Sequence, residues 1–179
     1  WKEEEALLIQ YINSCTENYK FIIAPHNIDK GDIQRLKQSI NKKVVLFSER
    51  DHDSLSEFDV FIVDTIGLLT KIYSYAQIAY VGGGYSKTGV HNMLEPATFG
   101  IPIIIGPNYD KFKEAKELTE IHASFVANSI EKLSLLLDTL FQRENKRIEA
   151  GQKARDYVIS KTGATTIIVN YISDEKKII

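Results

Sequence analysis

Short apolar runs recur along the chain and alternate with longer segments whose apolar positions fall three and four apart. Phe21-Ile22-Ile23-Ala24, Val44-Val45-Leu46-Phe47, Val60-Phe61-Ile62-Val63, Ile78-Ala79-Tyr80-Val81 and Ile103-Ile104-Ile105 are β-branched or aromatic with no clean period of two, and Ser124-Phe125-Val126 is a weaker sixth case. A strand that is apolar at every position is covered on both faces, the mark of a parallel sheet between helix layers. Between these runs, Ile33, Leu36, Lys37 and Ile40 give one helical spacing, and Leu68, Leu69, Ile72 and Tyr75 another. Ser129, with Lys132 three residues on, predicts an N-cap for a helix through Leu133, Leu136, Leu137 and Leu140. A leading helix over 3–13, a charged helix over 144–160 and a last helix over about 164–172, after Gly163, complete the pattern. The tail from Asp174 to Ile179 is expected to fray. This order predicts an α/β fold, a doubly wound, mostly parallel, Rossmann-like sheet, in a single domain over 1–179.

Composition narrows the function classes without choosing among them. A chain of 179 residues supports one substantial core and is short for two, and 44% hydrophobic with 26% charged residues is ordinary for a globular domain. The net charge is −2, and Lys42-Lys43 and Lys176-Lys177 are short pairs, so no nucleic-acid partner is expected. The single Cys15 allows no internal disulfide, and no Cys/His cluster has zinc spacing. Asp51-His52-Asp53, with Asp59 nearby, has the residue types of a metal site but reads as turn formers, and no metal is expected. No apolar run approaches the roughly 20 residues that span a bilayer. The chain starts at Trp1 without Met and is expected to be a fragment of a longer protein.

In a doubly wound sheet, ligands sit at the carboxyl ends of the strands. Four such ends stand out: Pro25-His26, Asp64-Thr65, the stretch from Gly82, and Gly106-Pro107. Gly82, Gly83 and Gly84 follow an apolar strand directly, Gly89 comes five residues later, and a helix is expected to open near Val90 or His91. Glycines let a backbone approach a ligand closely, and a helix start offers free N–H groups to a phosphate. No Gly-Lys-Ser/Thr follows and the dinucleotide spacing is absent, so a purely structural turn stays open as the alternative. Asn92 and Glu95, three apart, are expected on one side of that helix's first turn, with Pro96 suited to it. Glu95 either caps the helix or accepts hydrogen bonds from a ribose diol, with Asn92 beside the phosphate. Asp64-Thr65 reads as the N-cap of the helix that runs to Tyr75.

Residues 80–107, with their three glycines, His91-Asn92-Met93-Leu94-Glu95-Pro96 and Gly100-Ile101-Pro102, resemble the donor-site signature of 3-deoxy-D-manno-octulosonic acid (Kdo) transferases. Asp64-Thr65-Ile66-Gly67-Leu68-Leu69 resembles that family's Asp-Thr-x-Gly-x-Leu segment, and Ala24-Pro25-His26 its Pro-(Arg)-His element. The run from Pro107 to Ala115 is similar as well, and the resemblance covers the chain to about Ile172. It implies the C-terminal half of a two-domain GT-B glycosyltransferase. The acceptor-binding N-terminal domain, the catalytic acidic base, and the first strand with a Gly-Ser-Thr loop would lie before Trp1. The implied function is to bind CMP-Kdo for transfer of Kdo to a lipid A precursor in lipopolysaccharide biosynthesis. No cofactor beyond that donor, no metal and no catalytic residue within this chain are implied. The parent protein would sit at the cytoplasmic side of the bacterial inner membrane.

The donor-binding residues so implied are Pro25, His26, Ile66, Gly67, Leu68, Gly82, Gly83, Gly84, Gly89, Asn92 and Glu95. The His26 imidazole would donate to a phosphate or a sugar carboxylate. Ile66, Gly67 and Leu68 would offer main-chain groups and an apolar wall to a cytosine ring. His91 is placed behind them, Lys111 and Lys113 either reach the donor's carboxylate or are solvated, and His122 is structural. Asn27 stands where relatives carry Glu, with Asp29 two further on, so no carboxylate role is assigned there. A UDP-sugar-binding half of another GT-B transferase or epimerase, and a non-catalytic α/β module of receiver type, remain as alternatives.

Overall fold

The computed structural model describes residues 2–50 and 55–175. The apolar runs form β1 (Phe21–Ile23), β2 (Val44–Leu46), β3 (Val60–Ile62), β4 (Ala79–Val81), β5 (Ile103–Ile105) and β6 (Ser124–Val126). Around them lie α1 (Lys2–Ser14), α2 (Lys30–Ser39), α3 (Leu69–Ile72), α4 (Leu94–Thr98), α5 (Lys113–Glu120), α6 (Ile130–Gln142), α7 (Glu144–Ser160) and α8 (Ala164–Glu175). Two starts follow from capping chemistry. Ser129 accepts a hydrogen bond from the Lys132 N–H, and Asp29 accepts from those of Gly31 and Asp32, each satisfying donors that a helix start leaves over.

All strand pairs are parallel, but hydrogen bonds join them as two ladders, β1-β3-β2 and β4-β5-β6, where the sequence predicted one sheet. Ile22 aligns with Phe61 and Phe61 with Val45; Tyr80 aligns with Ile104 and Ile104 with Phe125. Side-chain packing joins the halves instead. Phe21 and Tyr80 pack against one buried cluster that contains Tyr11, Ile104, Leu133 and Leu137. The Tyr11 hydroxyl donates to Asp138 Oδ1 at 2.8 Å and so fastens α1 to α6.

β5 explains why its sequence has no alternation. Ile103 and Ile105 face Met93, Ala97, Ala115, Leu118 and Ala154, while Ile104 points the other way into the Tyr11 cluster. All three isoleucines are 0% exposed. Burying each contributes about 1.5–3 kcal/mol, so this strand anchors both helix layers.

Two expected helix starts are corrected. Asp64 does not cap α3: its carboxylate accepts the Ser48 N–H at 2.9 Å and the Ser48 hydroxyl, tying the ends of β3 and β2 together. With that side chain engaged, α3 begins only after Leu68, which makes no side-chain cap bond, and it gives way to a 3-10 turn over Tyr73–Tyr75. The helix expected near Val90 or His91 begins at Leu94, because Asn92 Oδ1 takes the Leu94 N–H and holds the preceding residues in a turn.

At the chain's end, residues 164–173 of α8 are all exposed, with Ile167 at 69% and Tyr171 at 67%. Asp174 and Glu175 lie in α8, while the rest of the tail, Trp1 and the Asp51-His52-Asp53 cluster fall outside the described residues. Among the described residues, no helix is long and apolar enough to cross a membrane, and no group of three His, Cys, Asp or Glu could hold a metal ion.

Candidate functional site

The carboxyl end of β4 runs into a turn that the protein fixes from every side. The Gly82 carbonyl accepts the His91 N–H at 2.9 Å, the Gly83 carbonyl accepts the Ser86 N–H and hydroxyl, and the Gly84 carbonyl accepts the Asn108 N–H at 2.7 Å. Gly83 has φ +94, a conformation that side chains disfavour. A Cβ on Gly84 would stand 2.6 Å from the backbone of Gly106, so the ends of β4 and β5 touch main chain to main chain. Gly89 is packed beneath the Phe112 ring.

The N–H groups of this turn are occupied too, by a residue the sequence reading passed over. Glu4, in the first turn of α1, is 2% exposed and accepts the Gly83 N–H at 2.8 Å and the Tyr85 N–H at 3.0 Å. Among the described residues, the Tyr80 hydroxyl is buried nearby without a hydrogen-bond partner. Burial, then the Glu4 carboxylate, hold that phenol protonated well above its usual range. No local signal marks Glu4, because three successive glutamates at a helix start read as solvated charge favoured by the helix dipole.

His26, at the end of β1, and His91, after the glycine turn, stack with ring centroids 5.3 Å apart and planes 21° apart. That contact brings the strand ends of the two half-sheets together. Beside His26 and Pro25 lies a cleft of about 360 Å³ whose wall includes Arg35, Asp32 and Glu5. Arg35 is held there by Glu5 at 2.6 Å and by Asp32 at 3.6 Å. Asn27 lines the same cleft, while Asp29 is committed to capping α2.

Asn92 and Glu95 meet as their spacing implied. Asn92 Nδ2 donates to Glu95 Oε1 at 3.0 Å, so the carboxylate is oriented from within its own segment. Tyr73 stands close enough that burial, then Glu95, push its phenol up to about 12, which sets the turn after α3 against α4. Ile66, Gly67 and Leu68 form the approach to α3; Ile66 is 81% exposed, Gly67 is exposed and Leu68 half-buried, and the Leu68 carbonyl bonds locally to the N–H groups of Lys71 and Ile72. Lys113 pairs loosely with Glu117 at 3.8 Å. His122 occupies the left-handed turn after α5 with φ 59, a backbone role.

No family model matches the chain. It is 32% identical over 148 residues to the 3-deoxy-D-manno-octulosonic acid transferase of Aquifex aeolicus, covering 81% of this chain and 40% of that protein. It is 33% identical over 140 residues to the enzyme of the same name from Chlamydia muridarum, covering 74% and 32%. A bifunctional glycosyltransferase/methyltransferase of Fusobacterium nucleatum is 28% identical over 167 residues, covering 90% and 26%. The chain thus spans well under half the length of these relatives. In fold it is similar to the C-terminal CMP-Kdo binding domain of WaaA from Acinetobacter baumannii, with a TM-score of 0.69 at 18% identity over 89% of this chain and 97% of that one.

Proposed function

Because this chain belongs to the 3-deoxy-D-manno-octulosonic acid transferase family and matches only part of its members' length, we propose that it is the donor-binding half of such an enzyme. In this reading it holds CMP-Kdo while Kdo passes to a lipid A precursor. The observation that carries the reading is the stack of His26 on His91, which brings the ends of β1 and of the glycine turn together at the carboxyl side of the strands. A crevice at the carboxyl ends of parallel strands is where α/β folds take nucleotides.

The division of labour follows from what the crevice offers. Imidazoles at its floor can donate to the phosphate as CMP leaves the anomeric carbon, favouring the charge that develops there. The Glu95 carboxylate, oriented by Asn92, suits a ribose diol, and the main chain around Gly67 suits the base. The acceptor hydroxyl's proton goes to an acidic base on the part of the relatives that this chain does not span. The acceptor site and the association with the inner membrane belong to that part as well.

Calorimetry on this chain with CMP, UMP and cytidine tests the assignment. CMP is expected to bind weakly and better than UMP, with cytidine weaker than CMP because it lacks the phosphate. Preference for UMP would sink the Kdo assignment. No transfer by this chain alone is expected, and turnover would overturn the division of labour.

A further inference from the structure

Glu4 has an environment that a solvated helix start does not explain. Among the described residues it is one of two buried charged or polar side chains, its charge is met by two peptide N–H groups, and no ion pair reaches it. Consecutive N–H groups that converge on a concavity form an anion-binding nest. Here the nest over 83–85 is filled from within the protein, by a carboxylate 79 and 81 positions away in sequence. The carbonyls of Gly82, Gly83 and Gly84 are bonded on their other side to His91, Ser86 and Asn108. Removing the carboxylate leaves two N–H groups without acceptors in a buried turn, which must then shift to find water.

We propose that Glu4 is a positioning residue of the donor site: by filling the nest it fixes the glycine turn, and with it His91, in the shape that receives the donor's phosphate. The inference rests on the donor-binding reading above. Its consequence is that the phosphate does not take the N–H groups of Gly83 and Tyr85, which are spoken for, but lies outside the turn, on the side where His91 meets His26. α1 therefore belongs to the site although it lies ahead of β1, and the residue after Glu4, Glu5, reaches the neighbouring cleft through Arg35.

The test compares the parent chain with Glu4→Gln, which keeps the volume but turns one N–H acceptor into a donor. Calorimetry with CMP and with cytidine is run beside a thermal melt. The variant is expected to melt cooperatively, to bind CMP about tenfold more weakly and to bind cytidine within about twofold of the parent. Equal losses for both ligands, or CMP binding unchanged or tighter, overturn the positioning role. Should Glu4→Gln fail to fold, the parent chain still decides: with CMP the imidazole resonances of His26 and His91 must shift more than the amides of Gly83 and Tyr85, and a larger shift of those two amides overturns the proposal. A parent chain that binds neither ligand overturns the donor reading and this inference with it. A parent that binds CMP beside a variant with an unchanged CMP-to-cytidine ratio overturns only the role of Glu4.

Discussion

In β5 the three isoleucines are all 0% exposed, whereas Ile22, the middle residue of β1, is 41% exposed. Both strands read alike in sequence, three apolar residues in a row, and both lie in parallel ladders. β5 is central and covered on both faces; β1 is an edge strand and carries one open position. The second half-sheet is thus a close-packed frame, with glycine set against glycine at its strand ends. The first half-sheet presents an open, charged rim where Glu5, Asp32 and Arg35 trade partners beside His26. The donor site proposed above would have a close-packed wall on one side and an open, charged wall on the other.

Truncation at matched positions should separate the two half-sheets most strongly. Ile104→Ala should lower stability by about 4 kcal/mol, since it leaves a cavity in a packed layer, while Ile22→Ala should cost less than about 1 kcal/mol. Urea unfolding of the two variants measures this, and similar losses would mean that the two half-sheets are equally packed. The helix caps should differ far less between the two halves. Asp29→Ala in the first half and Ser129→Ala in the second should each cost about 1 kcal/mol. Equal values by thermal melt would place the difference in the strands and not in the helices around them.

The smallest effect is titration of the frame's outer edge. The Tyr157 hydroxyl donates to Glu117 at 2.6 Å, and burial, then that bond, push the phenol up to about 12. A phenol whose pKa is raised on folding contributes stability that is complete below its unfolded value near 10 and is lost as the pH rises through about 12. The melting temperature should therefore fall across that window, and Tyr157→Phe should make the fall shallower. An unchanged slope would mean that the bond to Glu117 contributes nothing to the frame.

The elements themselves were legible because their physics is local. β-branched runs named all six strands, Ser129 named the start of α6, and both bounds of α7 followed from its charge pattern. Asn92 and Glu95 were paired correctly from their spacing, although the turn that holds them is an Asn turn and not a helix start. What escaped depends on partners far along the chain. The division into two ladders is a matter of which strand edges meet, and apolar runs do not encode it. Asp64 looked like a cap because the Ser48 it bonds lies 16 positions back. Glu4 looked like one of three interchangeable glutamates, and only the folded chain distinguishes the one that turns inward from Glu5, which faces the cleft.

α8 has a consequence for how the molecule meets its own copies. Ile167, Ile168, Val169, Tyr171 and Ile172 all stand more than half exposed on one helix, which makes a greasy ridge along it. Attraction along such a ridge strengthens with added sulfate, which is excluded from protein surfaces, while the exposed pair of Arg35 with Glu5 is screened by the same salt. Self-association of this chain should thus grow as sulfate is added.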